Sequence, residues 1–245
     1  MNHETIHTYQ ELGLPENTGK AATQILKTNS SLKGPDYLGS QQKRLLDVAI
    51  SYPSATAFLP IMLLTGASVL AKDGWPPFIQ IELFHPTRGV VYESKARTMV
   101  KDAQKYEQQY IAPLLRGIPV KDQRVLPNCE GIRKSGTDEL PQFLDVLAGN
   151  LSLVGPRGIM QTQWDFLKEH ETETPYGQLI YMLEKHGDKI KYGMAGFYGA
   201  FCRGKGVSPQ IKYGLEVMYC QGASFRADLK LLFLNFGTFL RKRAK

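Results

Sequence analysis

Residues 48–71 form twenty-four consecutive positions without a charge, enough in number for a bilayer crossing. The run is diluted by Ser51, Ser54, Thr56, Thr65, Gly66 and Ser68, and interrupted by Pro53 and Pro60. A proline removes a backbone donor and clashes with the preceding turn, so Pro60 predicts a break or sharp kink between arms 45–59 and 61–71. Each arm measures roughly 16–22 Å at ~1.5 Å per residue, too short to cross alone. Lys43 and Arg44 precede the run and Lys72 follows it. Cations at both ends favour a helix-break-helix that dips into the membrane and returns to the cytoplasmic side. A buried core hairpin is the competing reading of such a run, and a simple crossing helix the third.

Other elements follow from the same periodicity. In the stretch 133–157 (RKSGTDELPQFLDVLAGNLSLVGPR), Ser135, Gly136 and Thr137 are helix start signals with Thr137 as N-cap. Leu140, Phe143, Leu144 and Leu147 keep helical spacing, and Gly149-Asn150 is a stop. Asp138 and Glu139 are thereby expected in the first turn of a short amphipathic helix, where Pro141 is tolerated. Residues 151–154 predict a short buried strand leading into a Gly155-Pro156 turn that presents Arg157. Near the C-terminus, Leu229, Leu231, Leu232, Phe233, Leu234, Phe236, Phe239 and Leu240 precede Arg241, Lys242, Arg243 and Lys245. Such an apolar helix with a basic end suits the headgroup region of an anionic leaflet, or else a core helix with a solvated tail. The first forty residues are polar, carry Glu4, Glu11, Glu16 and Asp36, and predict no cleaved signal but an extension or mobile arm with a short helix near Tyr9 to Leu12.

Composition narrows the classes. A formal charge of +7 points to a polyanionic partner: nucleic acid, an anionic lipid surface or phosphorylated substrates. A nucleic-acid binder would show a module with clustered base-reading or stacking side chains, and would not need the uncharged run. Cys129, Cys202 and Cys220 have neither the number nor the spacing for a disulfide framework or thiolate zinc site, which fits a reducing compartment. The histidines make no HExxH pair, so no histidine metal site is expected.

The densest chemistry lies at Asp138 and Glu139. Paired acids at a helix start ordinarily serve the helix dipole. Here Arg133 and Lys134 stand just before them and Arg157 just after. These cations favour ionised carboxylates and can hold phosphate oxygens. An ionised Asp can attack phosphorus, and a neighbouring Glu can hold Mg²⁺ when a diphosphate supplies further oxygens.

At these residues the sequence resembles the small polyprenyl-phosphate phosphoglycosyl transferases, also called bacterial sugar transferases. Lys43-Arg44-Leu45-Leu46-Asp47 looks like the family's opening, and Leu59-Pro60 sits where its re-entrant helix breaks. Pro77, Phe78 and Gln80 resemble the next segment, and Lys95-Ala96-Arg97-Thr98-Met99 resembles its basic box. Thr137-Asp138-Glu139-Leu140-Pro141-Gln142 and Ser152-Leu153-Val154-Gly155-Pro156-Arg157 are the strongest matches, with Asp228-Leu229-Lys230 near its end. The resemblance implies transfer of a sugar-1-phosphate from a nucleotide-diphosphate sugar to polyprenyl phosphate, through a covalent intermediate on Asp138. It implies Mg²⁺ held in part by Glu139, with Lys95, Arg97, Arg133 and Arg157 as phosphate contacts. The membrane lipid is then a partner, nucleic acid is not, and a homodimer stays open. The place implied is the cytoplasmic face of a bacterial inner membrane. The chain departs from the family at Ile81-Glu82-Leu83-Phe84-His85, and at Leu59, Ala96, Asn150 and Gly158. The turn at residues 193–199 (GMAGFYG) lacks a P-loop Lys-Ser pattern and is expected to border the substrate pocket.

The expected fold is α+β and mainly helical. A polar extension (1–40) precedes a re-entrant membrane helix (41–72) and a catalytic domain with short strands and interfacial amphipathic helices (73–245). The alternative function is a non-catalytic membrane-associated scaffold of the same fold.

Overall fold

The computed structural model describes residues 7–28, 30–106, 123–127, 129–202 and 207–243. The first six residues and the last two, with Lys245 of the basic tail, lie outside this set. The fold is mainly helical with a few short strands, as expected for α+β.

Helices α1 (Glu16–Leu26) and α2 (Gly34–Leu38) fall within the stretch expected to be a mobile arm. Instead it is docked. Leu12, Leu14, Ala22 and Tyr37 are buried in the core shared with α8 (Pro209–Gly222) and α9 (Phe225–Arg243). The arm's apolar positions are sparse, yet Leu12, Leu14, Ala22, Ile25, Tyr37 and Leu38 all join the core.

Helix α3 (Gln41–Asp73) is continuous across both prolines, so the break expected at Pro60 is not an interruption of the helix. The physical reason is local: each proline removes one N–H and orphans one carbonyl, and 33 residues of helix supply the remaining ladder. Ser40 caps its start by accepting from the Lys43 amide at 3.1 Å. Buried positions Lys43, Leu46, Asp47, Ser51, Ala55, Met62, Thr65, Gly66 and Val69 follow helical spacing of three, four or seven residues, so one stripe faces the protein along the helix. The opposite face exposes Leu45, Tyr52, Leu59, Leu63, Leu64 and Leu70.

The segment Ile81 to His85 belongs to a hairpin that sequence reasoning missed. Strand β1 (Phe78–His85) pairs antiparallel with β2 (Gly89–Ala96), Phe78 opposite Ala96 and His85 opposite Gly89. Further on come α4 (Glu130–Ser135), a 3₁₀ turn (Thr137–Glu139) and α5 (Gln142–Ala148). The two acids therefore precede the helix rather than starting it. Gly136 adopts φ +68°, ending α4, and Thr137 Oγ1 donates to the Ile132 carbonyl instead of capping. Strand β3 (Ser152–Val154) pairs in parallel with β4 (Gly193–Ala195), while α6 (Gln161–Glu169) and α7 (Tyr176–His186) fill the connection.

A buried charge knot fastens these elements. Lys43 Nζ reaches Asp47 at 2.9 Å and Asp228 of α9 at 2.8 Å. Asp228 also accepts from the hydroxyls of Tyr37 (2.9 Å) and Tyr219 (2.8 Å). Asp47 accepts from Ser152 Oγ (2.9 Å) and the Leu153 amide (3.1 Å). Burial still holds the Asp228 carboxyl above its usual range, against Lys43 and the two hydroxyls, and the network ties α2, α3, β3, α8 and α9 to one another.

Candidate functional site

Strand β2 alternates its side chains, so Glu93 and Lys95 fall on one face. The hairpin is seated on α5 by Asp145, which accepts from the Ser94 amide at 2.7 Å and from Ser94 Oγ at 2.9 Å. Gln142 Nε2 donates to Glu93 Oε1 at 2.7 Å. Lys95 Nζ then lies 3.2 Å from Glu93 and 3.9 Å from Glu139. A strand and a 3₁₀ turn thus bring together an acid–lysine–acid row.

Asp138 is buried beside this row. Its Oδ1 has no hydrogen-bond partner, a costly state for a buried oxygen. Burial and the neighbouring Glu139 push its carboxyl up to about 6, against the pull of Lys95 and Arg133. The cations at the acids were expected to keep both carboxylates ionised; for Asp138, desolvation outweighs them.

Arg157 follows β3 through the Gly155-Pro156 turn, as expected. The parallel pairing brings backbones so close that a Cβ on Gly155 would sit 2.5 Å from the Lys191 carbonyl oxygen. That close approach leaves a wall of backbone facing a cleft of about 130 Å³. Lys95, Glu139, Gln142, Arg157, Tyr198 and Glu216 supply its polar and aromatic lining, and the turn 193–199 borders it as expected. Asp138 is not part of the lining; Glu139 is. The Arg157 guanidinium lies 4.2 Å from the Tyr198 ring centroid. Arg157 is exposed, and Tyr198, Glu139, Glu93 and Glu216 outweigh the desolvation of its head group to hold its pKa above the usual value.

Two of the expected phosphate contacts are placed otherwise. Arg97 is spent on structure: its guanidinium pairs with Asp73 and donates to the carbonyls of Pro76, Gly74 and Met99. It clamps the end of α3 to the hairpin and does not line the cleft, because the basic box enters the strand end here. Arg133 donates to Thr98 Oγ1 at 3.2 Å and reaches the site through its field on Asp138 rather than through the cleft wall. Lys95 and Arg157 do line the cleft.

The donor set suits Mg²⁺ in a particular way. Among the described residues no group of three or more His, Cys, Asp or Glu is placed to hold a metal. Glu139 and Glu93 offer hard oxygens at the cleft, and Mg²⁺ is commonly held by one or two carboxylates with substrate phosphates and water. The residues therefore fit a metal that arrives with a diphosphate.

Sequence reasoning passed over Glu93 and Glu216, whereas Tyr198 falls in the turn 193–199 expected to border the pocket. Glu93 was legible from its i, i+2 spacing to Lys95 once the hairpin is drawn; Glu216 sits in an apolar helix with no motif to flag it.

Residues 38–242 match the family model described as bacterial sugar transferase. An uncharacterized sugar transferase of Bacillus subtilis (strain 168), EpsL, is 30% identical over 197 residues, covering 79% of this chain and 84% of that protein. A UDP-glucose:undecaprenyl-phosphate glucose-1-phosphate transferase of Klebsiella pneumoniae is 29% identical over 213 residues, 82% of this chain and 41% of that one. A protein of the same name from Caulobacter vibrioides is 32% identical over 141 residues, 56% of this chain and 48% of that one. The chain spans most of the Bacillus relative and less than half of the other two.

Proposed function

The chain belongs to the bacterial sugar transferase family, and from that premise we propose that it is a phosphoglycosyl transferase acting on a nucleotide-diphosphate sugar and a polyprenyl phosphate. The observation that carries this reading is the buried Asp138, with one unpartnered oxygen, adjoining a cleft whose wall holds Lys95, Glu139 and Arg157. The names of the Klebsiella and Caulobacter relatives support the donor and acceptor classes.

In the first half-reaction the ionised Asp138 carboxylate attacks the β-phosphorus of the donor. A bond forms between an Asp138 oxygen and phosphorus, the bond to the bridging oxygen breaks, and nucleoside monophosphate leaves with that oxygen. In the second, a phosphate oxygen of the polyprenyl phosphate attacks the same phosphorus and releases Asp138 as carboxylate. Lys95 and Arg157 hold phosphoryl oxygens and favour the charge that gathers on them as the bonds exchange. Arg133, beside Asp138, favours its ionised form. Glu139, with Glu93 at the same wall, would hold Mg²⁺, which when bound screens the diphosphate charge. We place the protein on the cytoplasmic face of the bacterial inner membrane, with α3 dipping into lipid so that soluble donor and lipid acceptor meet at the cleft.

The test is mass spectrometry of protein quenched after incubation with nucleotide-sugars and no lipid acceptor. A sugar-phosphate adduct is expected on Asp138 and is expected to vanish in Asp138→Asn. An adduct elsewhere, or undiminished turnover by Asp138→Asn, would sink the mechanism. Folded wild type that releases no nucleoside monophosphate from any donor would favour a non-catalytic scaffold.

A further inference from the structure

Glu216 is a buried acid that the transfer steps leave without a task. It is 2% exposed, projects from α8, and is part of the cleft lining. Neither of its carboxylate oxygens has a hydrogen-bond partner. A buried carboxylate with both oxygens bare is costly in the empty protein, so such a group is expected to be completed by a ligand.

The chemistry of that ligand follows from the neighbours. A phosphate is disfavoured as the direct contact of the ionised carboxyl, because two anions would meet in one wall. Burial pushes the Glu216 carboxyl up to about 7, against the pull of Lys212 and of the Arg157 amide and guanidinium, and these neighbouring cations disfavour a metal ion. These cations are engaged elsewhere by geometry: Arg157 lies over the Tyr198 ring at 4.2 Å, and Lys212 over the Tyr213 ring at 4.6 Å. What remains is a neutral group that donates hydrogen bonds. Two bare oxygens call for two donors side by side, which an imide with one N–H does not supply and a pair of adjacent hydroxyls does. Gly193, Gly196 and Gly199 line the same cleft with backbone.

We propose that Glu216 is a specificity-determining residue that accepts hydrogen bonds from a vicinal diol of the nucleotide-sugar donor. Arg157 feels both Glu139 and Glu216, so it joins the phosphate-handling acids to the hydroxyl-reading one. The inference rests on the transfer activity proposed above. Adjacent hydroxyls occur both in the transferred sugar and in the nucleotide ribose, and the experiment separates these sources.

Nucleoside monophosphate release is measured for wild type and for the near-isosteric Glu216→Gln, with an intact donor, donors lacking single sugar hydroxyls, and a 2′-deoxyribose donor. Loss of a hydroxyl bound by a charged acceptor is expected to cost wild type roughly 10–100-fold in kcat/KM. The same deletion is expected to cost Glu216→Gln at most a few-fold, because the charged acceptor is already gone. Coupling confined to a deoxy-sugar assigns the diol to the sugar, and coupling confined to deoxyribose assigns it to the nucleotide. The proposal is overturned if no deletion affects wild type, or if every deletion costs both proteins equally. Should Glu216→Gln fail to fold, Glu216→Asp takes its place in the same series with the same criteria, and an indifferent wild type refutes a diol contact in any case. Wild type inactive on every intact donor would instead overturn the transfer activity itself, which keeps the two failures distinct.

Discussion

Asp138 carries opposed demands. Burial and Glu139 hold its carboxyl up to about 6, so between roughly pH 4 and 6 the folded protein keeps a proton that the unfolded chain has released. Stability therefore falls as pH rises through that window, and the penalty is fully present at neutral pH. Asp138→Asn is expected to unfold later than wild type at pH 7.5, by up to about 3 kcal/mol, and to lose that advantage below pH 4. Thermal unfolding at the two pH values checks this; equal stability at pH 7.5 would show that the buried carboxyl is not strained. Catalysis runs the other way, since only the ionised form attacks. Wild-type adduct formation is expected to decline as pH drops below about 6. Two arginines separate function from structure at the same scale. Arg157→Ala is expected to lower kcat/KM roughly 10²–10³-fold with an unchanged unfolding midpoint, having removed a phosphate contact. Arg97→Ala is expected to cost about 3 kcal/mol of stability, because the carbonyls it serves and Asp73 lose a shared charged donor. Turnover per folded molecule should hardly change. A reversed pattern, Arg97→Ala folded but inactive, would return that residue to the site.

The elements show which parts of the site periodicity can reveal. The short strand before Arg157, the stop at Gly149 and the apolar run of α3 were legible because each rests on local spacing or on a residue with one conformational use. The 3₁₀ turn under the acids was not, because Thr137 had an acceptor at Ile132 that a linear reading cannot see. The hairpin escaped notice because its strand reads as an insertion after Gln80, although Phe-Ile-Gln-Ile-Glu-Leu alternates over much of its length. The charge knot was quoted in two motifs, Lys43 to Asp47 and Asp228, but their meeting is a fact of tertiary structure. It supplies a prediction at this scale. Asp228→Asn leaves Lys43 with one buried partner and is expected to cost about 3–5 kcal/mol, far more than an exposed ion pair would. Denaturant unfolding measures it; a loss below 1 kcal/mol would mean the knot is dispensable to the packing of α3 on α9.

The whole molecule presents an apolar exterior that water alone does not explain. Helix α3 turns Leu45, Tyr52, Leu63 and Leu64 outward, Trp75 follows it at 74% exposure, and α9 exposes Phe233 and Phe236. An apolar surface of this extent marks an interaction with lipid or protein. The two ends of α3 are fastened to one body: Lys43 and Asp47 to β3 and α9, Asp73 to Arg97 beside the hairpin. A helix crossing the bilayer would send its ends to opposite sides, whereas the proposed re-entrant placement keeps both on one side. Its 33 residues exceed what ~30 Å of hydrocarbon needs, so length by itself decides nothing. The native cysteines Cys129, Cys202 and Cys220 are buried, which leaves introduced cysteines to report accessibility. In sealed inner-membrane vesicles, Gln42→Cys and Lys101→Cys are expected to react with an impermeant thiol reagent from the same side. Leu63→Cys, on the outward face, is expected to react with it only after detergent. Labelling of positions 42 and 101 from opposite sides would restore a crossing helix. Rapid labelling of position 63 without detergent would instead take α3 out of the lipid and leave its apolar face for a protein partner.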